Sequence, residues 1–220
     1  MQAWSRANHK KGKSLSFVPT MGNLHAGHLV LVDTAKKLAD KVVVSIYVNP
    51  TQFGKNEDFD KYPRTEQQDL NQLGKKKVDV VFMPGSDEMY PPDKAIDYID
   101  VPDFAKELEG QARPEHFRGV ATIVKKLFNA VQPDHAIFGE KDFQQCMVVK
   151  NMVAEHGLDI DIHAAPIVRD DDGVAKSSRN QYLTPEQRKL ASILYQSLLT
   201  ARQKIIEGQL SYTEIESQSI

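Results

Sequence analysis

The sequence has a single cysteine, Cys146, among its 220 residues. One thiol cannot form an intrachain disulfide, and it cannot supply the several ligands of a cysteine-based zinc site. This scarcity is typical of a reducing compartment, so we expect a cytoplasmic location. The amino-terminal residues 1–14 are polar and do not contain the apolar core of a signal peptide.

Long apolar runs and a strong net charge are also missing. The longest apolar stretch, 42–48, contains Ser45 and is far too short to span a bilayer. The formal net charge of −2 gives no electrostatic reason to expect nucleic acid or an acidic membrane as a partner. The sequence contains no GxGxxG segment, and Gly12-Lys13-Ser14 is not a P-loop because Ala7 occupies the position of the first glycine.

Strand-like and helix-like segments alternate along the chain. We predict strands over 15–18, 42–48, 78–83, 136–138 and 160–168, and helices over 29–38, 66–73, 120–131 and 142–155. The strand at 42–48 is β-branched and apolar on both faces, as is typical of a buried parallel strand. The pattern therefore predicts an α/β fold: a Rossmann-like, doubly wound parallel sheet with helices on both faces.

The pattern changes near residue 170. We predict a nucleotide- and substrate-binding domain over 1–169 and a second, smaller domain over 170–220. In the second domain, Thr184-Pro185 should start a helix that ends at Gly208, and residues 211–214 form a capping box for another. Because the sequence stops six residues later, we expect this second domain to be incomplete.

Polar segments follow four of the predicted strands: 19–28, 49–54, 139–145 and 169–180. Ligands of such sheets bind beyond the carboxyl ends of the strands. The four segments are therefore expected to meet at one site.

The segment His25-Ala26-Gly27-His28 lies between a strand and a helix. Residues at i and i+3 share one helix face, so both imidazoles can point at one ligand, and a helix amino terminus favours an anion. This pattern favours binding of nucleotide phosphates. The alternative is that both histidines cap the helix. A zinc site needs a third ligand, which the sequence does not reveal, so we predict no protein ligands to a metal.

Three further groups fit the same site, although each taken singly also fits an ordinary polar surface. Lys141, within 139–142, can add positive charge at another strand-to-helix turn. The loop Lys176-Ser177-Ser178-Arg179 offers hydroxyl and cationic groups suited to pyrophosphate, and such loops often close over substrates. Gln52 and Gln145 can hold a hydroxy acid without adding charge.

Six ordered blocks carry a family resemblance: 18–29, 47–54, 60–65, 107–120, 138–145 and 172–184. With this spacing the sequence resembles the pantothenate synthetase family, in the HxGH nucleotidyltransferase superfamily. The resemblance implies ATP-dependent condensation of (R)-pantoate with β-alanine through a pantoyl adenylate, with release of AMP and pyrophosphate. It also implies a homodimer.

The resemblance implies roles for individual residues. The ATP site would be lined by Met21, Gly22, Asn23, Leu24, His25, Ala26, Gly27, His28, Gly139, Glu140, Lys141, Asp142, Val168, Lys176, Ser177, Ser178 and Arg179. The residues expected to stabilise the reaction are His25, His28, Lys141, Ser177, Ser178 and Arg179, with His28 as proton donor. Gln52 and Gln145 would bind pantoate, with Gln52 also near β-alanine, and Arg113 and His116 would border the cleft.

Two positions depart from the family pattern. Lys176 stands where an apolar residue is usual, so it either adds charge to the phosphate loop or points to solvent. Gln68 stands before Asp69 where an acidic residue is commoner, so we expect Mg²⁺ to be held mainly by phosphates. Two other functions stay open: a different HxGH nucleotidyltransferase, which would form a stable nucleotide-linked product, and a non-catalytic nucleotide-binding module.

Overall fold

A computed structural model describes residues 1–208, 211 and 213–215. The chain divides into two compact units, the first being Met1–Pro166 and the second beginning at Ile167. The strands are β1 Leu15–Thr20, β2 Lys41–Ile46, β3 Val80–Phe82, β4 His135–Gly139 and β5 Asp161–Ala165. The helices are α1 Gln2–His9, α2 Ala26–Leu38, α3 Glu66–Lys75, α4 Ser86–Met89, α5 Glu109–Ala112, α6 His116–Val131, α7 Phe143–Glu155, α8 Pro185–Leu190 and α9 Ser192–Glu207.

The five strands form one parallel sheet in the order β3-β2-β1-β4-β5. Side chains alternate between its faces, so Phe17 packs with α6 and α7 on one face while Val18 packs with α2 on the other. Both clusters are apolar and buried, which explains why β1 and β2 are apolar on both faces. The predicted doubly wound parallel sheet is confirmed.

Two strand predictions need correction. β1 was expected to end before Pro19, but it pairs with β2 as far as Thr20. A proline is tolerated in a strand where its missing N–H faces away from the pairing partner, and β1 pairs with β4 only earlier, at Ser16 and Phe17. The strand predicted as buried over 78–83 is the short edge strand β3, which is half-buried because only one neighbouring strand covers its side.

Other boundaries also differ. α2 and α6 begin earlier than predicted, within segments whose polar and glycine residues hid the helical period, and β5 ends at Ala165, before Pro166. The helix predicted over 184–207 is two helices that meet at Ala191, whose backbone angles remain right-handed helical.

The predicted helix signals of the second unit are present. Thr184 caps α8 by accepting from the Gln187 N–H, and Gly208 ends α9 with a positive φ. Ser211 and Glu214 exchange the hydrogen bonds of the predicted capping box, whereas residues 209, 210, 212 and 216–220 lie outside the described part of the chain. The division at residue 169/170 stays a prediction. Among the described helices, none combines the length and apolarity that crossing a bilayer requires.

Candidate active site

The segment after β1 turns sharply before α2 begins. Gly22 has a φ of +82° and Asn23 a φ of +50°, both in the left-handed region. A Cβ on Gly22 would lie 3.0 Å from Ile46 Cγ2 and 3.1 Å from Asp69 Oδ2, so a larger residue would strain the backbone and crowd its neighbours. Glycine here lets the chain turn tightly into the amino end of α2.

His25 and His28 close the first turn of α2 with their side chains. His25 Nδ1 accepts a hydrogen bond from the Gly27 N–H at 3.1 Å, and His28 Nδ1 accepts one from the His25 N–H at 3.3 Å. The ring centroids lie 4.0 Å apart. Because each Nδ1 accepts, each ring in its neutral form carries its hydrogen on Nε2. The capping role is therefore observed, and it leaves the phosphate-binding role possible because the two roles use different ring nitrogens.

The surroundings of His28 keep this side chain uncharged at neutral pH. Burial, then the charge of His25, then the charge of Lys141 lower the pKa of His28 to about 3. A neutral imidazole offers its Nε2–H as a hydrogen-bond donor. Because Lys141 affects the pKa of His28, the segment after β4 must lie near the segment after β1. This agrees with the prediction that the polar segments following these strands meet.

β1 and β4 are neighbours at the point where the strand order reverses. Such a switch point is where doubly wound sheets bind ligands. Residues Glu140–Asp142 form a 3-10 turn directly after β4, and all three side chains are exposed. Lys141 Nζ lies 3.9 Å from Asp142 Oδ1. The switch point therefore presents one ammonium group beside two imidazoles.

Asp69 is a site residue that the sequence analysis missed. It lies in the first turn of α3, is 1% exposed, and accepts hydrogen bonds from the backbone N–H groups of Asn23 and Leu24 at 2.8 Å each. Thr65 Oγ1 donates to the same carboxylate at 3.2 Å. Its spacing of four residues from the buried Leu73 is the signal that could have placed Asp69 on the inner face of α3. Asp69 fixes the backbone that leads into His25.

Gln52 ends the 3-10 turn Pro50–Gln52, which follows β2. Its Nε2 lies 3.2 Å from Met21 Sδ, and its Oε1 accepts from Asn49 Nδ2 at 3.1 Å. Asn49 is 1% exposed and also donates to the Gly119 carbonyl. The segment after β2 thus meets the segment after β1, and a second buried polar residue that sequence reasoning missed holds the Gln52 amide in place.

Arg113 and His116 hold the backbone of Gln52. Arg113 Nη2 and His116 Nδ1 lie 3.3 and 2.9 Å from the Gln52 carbonyl oxygen. Arg113 also forms a two-point ion pair with Glu57, at 2.8 and 2.5 Å, and contacts Glu109 Oε1 at 2.8 Å. Two residues expected to border the cleft therefore support the loop that carries Gln52.

The two glutamines at the start of α7 have different environments. Gln144 Nε2 donates to the carbonyls of Phe104 and Glu107, and its Oε1 accepts from the Glu109 N–H. Gln144 therefore fixes the chain before α5. Gln145 is half-buried on the same first turn and follows the exposed turn after β4. Its predicted contact with substrate stays a prediction.

The remaining predicted residues belong to the second unit. There, Arg169 pairs with Ala175 in an isolated antiparallel bridge, and the Val168 carbonyl accepts from the Lys176 N–H at 2.9 Å. Lys176 was expected either to add charge to the phosphate loop or to point to solvent. Instead, it forms an ion pair with Asp170.

Ser177 caps a 3-10 turn over Ser178–Tyr182. Its Oγ accepts from the Arg179 N–H at 3.2 Å. Arg188 of α8 pairs with Asp172 at 2.6 Å, which ties the start of this loop to a helix. The roles of Val168 and residues 176–179 in nucleotide binding stay predictions.

The chain matches known proteins over most of its length. The family model for pantoate–β-alanine ligase matches residues 1–219. The crystal structure of pantothenate synthetase from Thermus thermophilus is 46% identical, with 94% of this chain and 74% of that chain covered and a TM-score of 0.90. Pantoate–β-alanine ligase from Francisella tularensis, complexed with β,γ-ATP and β-alanine, is 38% identical, with 89% and 76% covered and a TM-score of 0.82. These matches confirm the resemblance: the chain belongs to the pantoate–β-alanine ligase family.

Proposed function

We propose that this chain joins pantoate to β-alanine at the switch point between β1 and β4, using ATP to activate pantoate as an acyl adenylate. Its family supports the reaction, and the relative from Francisella tularensis was solved with β,γ-ATP and β-alanine. The observation that carries the assignment of the site is local. The imidazoles of His25 and His28 lie 4.0 Å apart with their Nδ1 atoms used in capping, and His28 lies within the electrostatic influence of Lys141.

In the first step, a pantoate carboxylate oxygen attacks the α-phosphorus of ATP. The bond from the α-phosphorus to the bridging oxygen breaks, and pyrophosphate leaves with that electron pair. Negative charge grows on the phosphoryl oxygens, where Nε2–H donors of His25 and His28 and the ammonium of Lys141 stabilise it. Since His28 is neutral at pH 7, we assign it hydrogen-bond donation in place of proton donation. Ser177, Ser178 and Arg179 are assigned to the leaving pyrophosphate by family resemblance.

In the second step, the β-alanine amine attacks the acyl carbon and the amide bond forms. The bond from the acyl carbon to the oxygen that bridges it to phosphorus breaks, and AMP leaves with that oxygen and the electron pair. The amine passes one proton to the departing phosphate of AMP or to water, and no bond to the enzyme is needed. Gln52 and Gln145 are assigned to pantoate, because neutral amides recognise hydroxyl and carboxylate groups without adding charge. Holding both reactants in one orientation supplies much of the acceleration.

Mg²⁺ is assigned to the nucleotide and not to protein ligands. Mg²⁺ prefers oxygen ligands, whereas His25, His28 and Lys141 offer nitrogen. The nearby Asp69 carboxylate is buried and already accepts from two backbone N–H groups and Thr65. We therefore assign no protein ligand to the ion, which would arrive bound to ATP.

We also propose a homodimer and a cytoplasmic location. The family resemblance supports a homodimer, and light scattering with size-exclusion chromatography tests it. One buried cysteine, Cys146, fits a reducing cytoplasm.

Exchange of labelled pyrophosphate into ATP tests the proposed function. Pantoate alone should support exchange, while β-alanine alone should not. The variant His28→Ala should lose exchange, and the exposed His156→Ala serves as the matched control. Exchange that requires β-alanine would exclude a free adenylate. A stable nucleotide-linked product would favour another nucleotidyltransferase, and ATP binding without pantoate-dependent pyrophosphate release would favour a non-catalytic module.

A further inference from the structure

Three potential metal ligands meet at the amino ends of β4 and β5. His135 is the first residue of β4, and Asp161 and His163 lie two residues apart on β5. The register pairs His135 with Asp161, and Ile137 with His163. Aligned residues of neighbouring parallel strands share a face, and so do residues two apart on one strand. All three side chains therefore lie on the same face of the sheet.

Their donor atoms converge on a small volume. His135 Nδ1 lies 3.2 Å from His163 Nε2 and 3.5 Å from Asp161 Oδ2. One ligand atom from each of the three residues lies within 4.8 Å of the other two. Tetrahedral zinc, with bonds of about 2.0–2.1 Å, separates its ligands by about 3.3 Å. We propose that His135, Asp161 and His163 bind one divalent transition-metal ion of the zinc type, with water as the fourth ligand.

A hydrogen-bonded cluster explains this arrangement less well. His135 Nδ1 can direct a single N–H at either His163 or Asp161, so one of the two close approaches would lack a hydrogen. A shared cation satisfies all three atoms at once. Two imidazoles and one carboxylate are also the ligand types that zinc takes in proteins.

The site is open to an ion from solution. The Asp161 side chain is 77% exposed and the His135 side chain 23% exposed. Exposure on the carboxylate side leaves room for entry and for a water ligand. This openness distinguishes the cluster from a sealed structural site, and it predicts reversible binding that a chelator removes.

The proposed metal site lies at the opposite end of β4 from Lys141. At about 3.3 Å per residue, the two ends of a five-residue strand lie roughly 13 Å apart. The ion would thus take no part in the ligase chemistry. It would connect the edge strand β5 to β4, so its expected effect is on the stability of the first unit.

Calorimetry and cobalt absorption test the proposal on the full chain without a histidine tag. After treatment with a chelator and its removal, one Zn²⁺ should bind per chain, and this binding should require His135, Asp161 and His163. Co²⁺ should give the strong visible absorption of a tetrahedral site. The Tm should rise by about 5–10 °C at a zinc concentration about 100 times Kd. His163→Asn and Asp161→Asn should each weaken binding at least about tenfold, while the exposed His156→Asn should bind as the wild type does.

Several results would overturn the metal site. The proposal is wrong if Zn²⁺ does not bind stoichiometrically, or if His163→Asn leaves the affinity for Zn²⁺ unchanged. If His163→Asn unfolds, His135→Gln gives an independent second variant. The variant His25→Asn checks that zinc is not held at the start of α2: loss of the zinc equivalent in this variant alone would place the ion there and refute the assignment. Pyrophosphate exchange in His163→Asn should match that of the wild type, which separates this result from any failure of the proposed function.

Discussion

Replacing Asp69 with asparagine tests whether a buried carboxylate positions residues 23–28, the segment that we propose binds the phosphates of ATP. The Asp69 carboxylate accepts from the N–H groups of Asn23 and Leu24 through different oxygens. An asparagine of the same shape keeps one acceptor and places an NH₂ group against one backbone N–H. That N–H then loses its partner within the protein interior, because the site is 1% exposed.

The expected loss follows from this geometry. One hydrogen bond to a charged group disappears and one buried donor is left unsatisfied, which together cost about 2–4 kcal/mol in the free energy of unfolding. For a chain of this length the Tm should fall by about 4–16 °C. The start of α2 should also shift, and a displacement of about 1 Å at His25 would lower kcat/KM for ATP by up to about 100-fold.

Urea denaturation and steady-state kinetics measure the two effects. Glu66→Gln is the matched control, because it makes the same chemical change on the exposed side of α3 and should cost less than about 1 kcal/mol. Equal unfolding midpoints for Asp69→Asn and Glu66→Gln would refute the buried-network reasoning. Lower stability with an unchanged kcat/KM for ATP would show that Asp69 supports the fold without positioning the site.

Four further predictions concern His28 and the support of Gln52. His28→Ala should lower kcat about 10²–10³-fold, as expected for loss of one transition-state donor, and near-normal turnover would remove His28 from the mechanism. Because the pKa of His28 is about 3 in the folded chain and near 6.5 when unfolded, its contribution to stability is fully present above pH 6.5 and declines as pH falls toward 3. At pH 5 the free energy of unfolding should be lower by about 2 kcal/mol than above pH 6.5. In His28→Asn, the free energy of unfolding measured in urea should change less between pH 8 and pH 5. Glu57→Gln weakens the ion pair that holds Arg113, so KM for pantoate should rise about fivefold, equivalent to about 1 kcal/mol, with little change in kcat; an unchanged KM would contradict the positioning role. A Cβ at Gly119 would lie 2.2 Å from the Thr51 carbonyl oxygen, so Gly119→Ala should destabilise the chain by about 1–3 kcal/mol. Gly74 lies in open space on α3, so Gly74→Ala should stabilise the chain by up to about 1 kcal/mol. Equal changes in Tm for the two variants would refute this packing argument.

The sequence was sufficient for the sheet because its central strands are buried on both faces. Val42, Val43 and Val44 form an uninterrupted apolar run, and the polar segments that follow β1, β2 and β4 mark the carboxyl edge. The half-buried edge strand β3 and the proline within β1 depend on which neighbours a strand has, and a single sequence does not reveal pairing partners.

The candidate site was predictable where residues lie within one short motif. His25 and His28 are three residues apart, so local spacing suffices to place them on one turn. Asp69 and Asn49 were missed because their roles depend on contacts with backbone groups more than 40 residues away along the chain. The cluster of His135, Asp161 and His163 was missed for the same reason: only the pairing of β4 with β5 brings its members together.

In each imidazole, Nδ1 caps the helix and Nε2 is left to donate to a ligand, so different substitutions can remove the two roles separately. Asparagine carries its side-chain oxygen near the place of histidine Nδ1, whereas glutamine places its amide near Nε2. His28→Asn should therefore preserve the closed first turn of α2 while deleting the outward donor, and His28→Gln should preserve the donor while opening the turn. Alanine removes both the capping acceptor and the donor. Comparing His28→Asn with His28→Gln therefore separates loss of helix capping from loss of the hydrogen bond to the ligand.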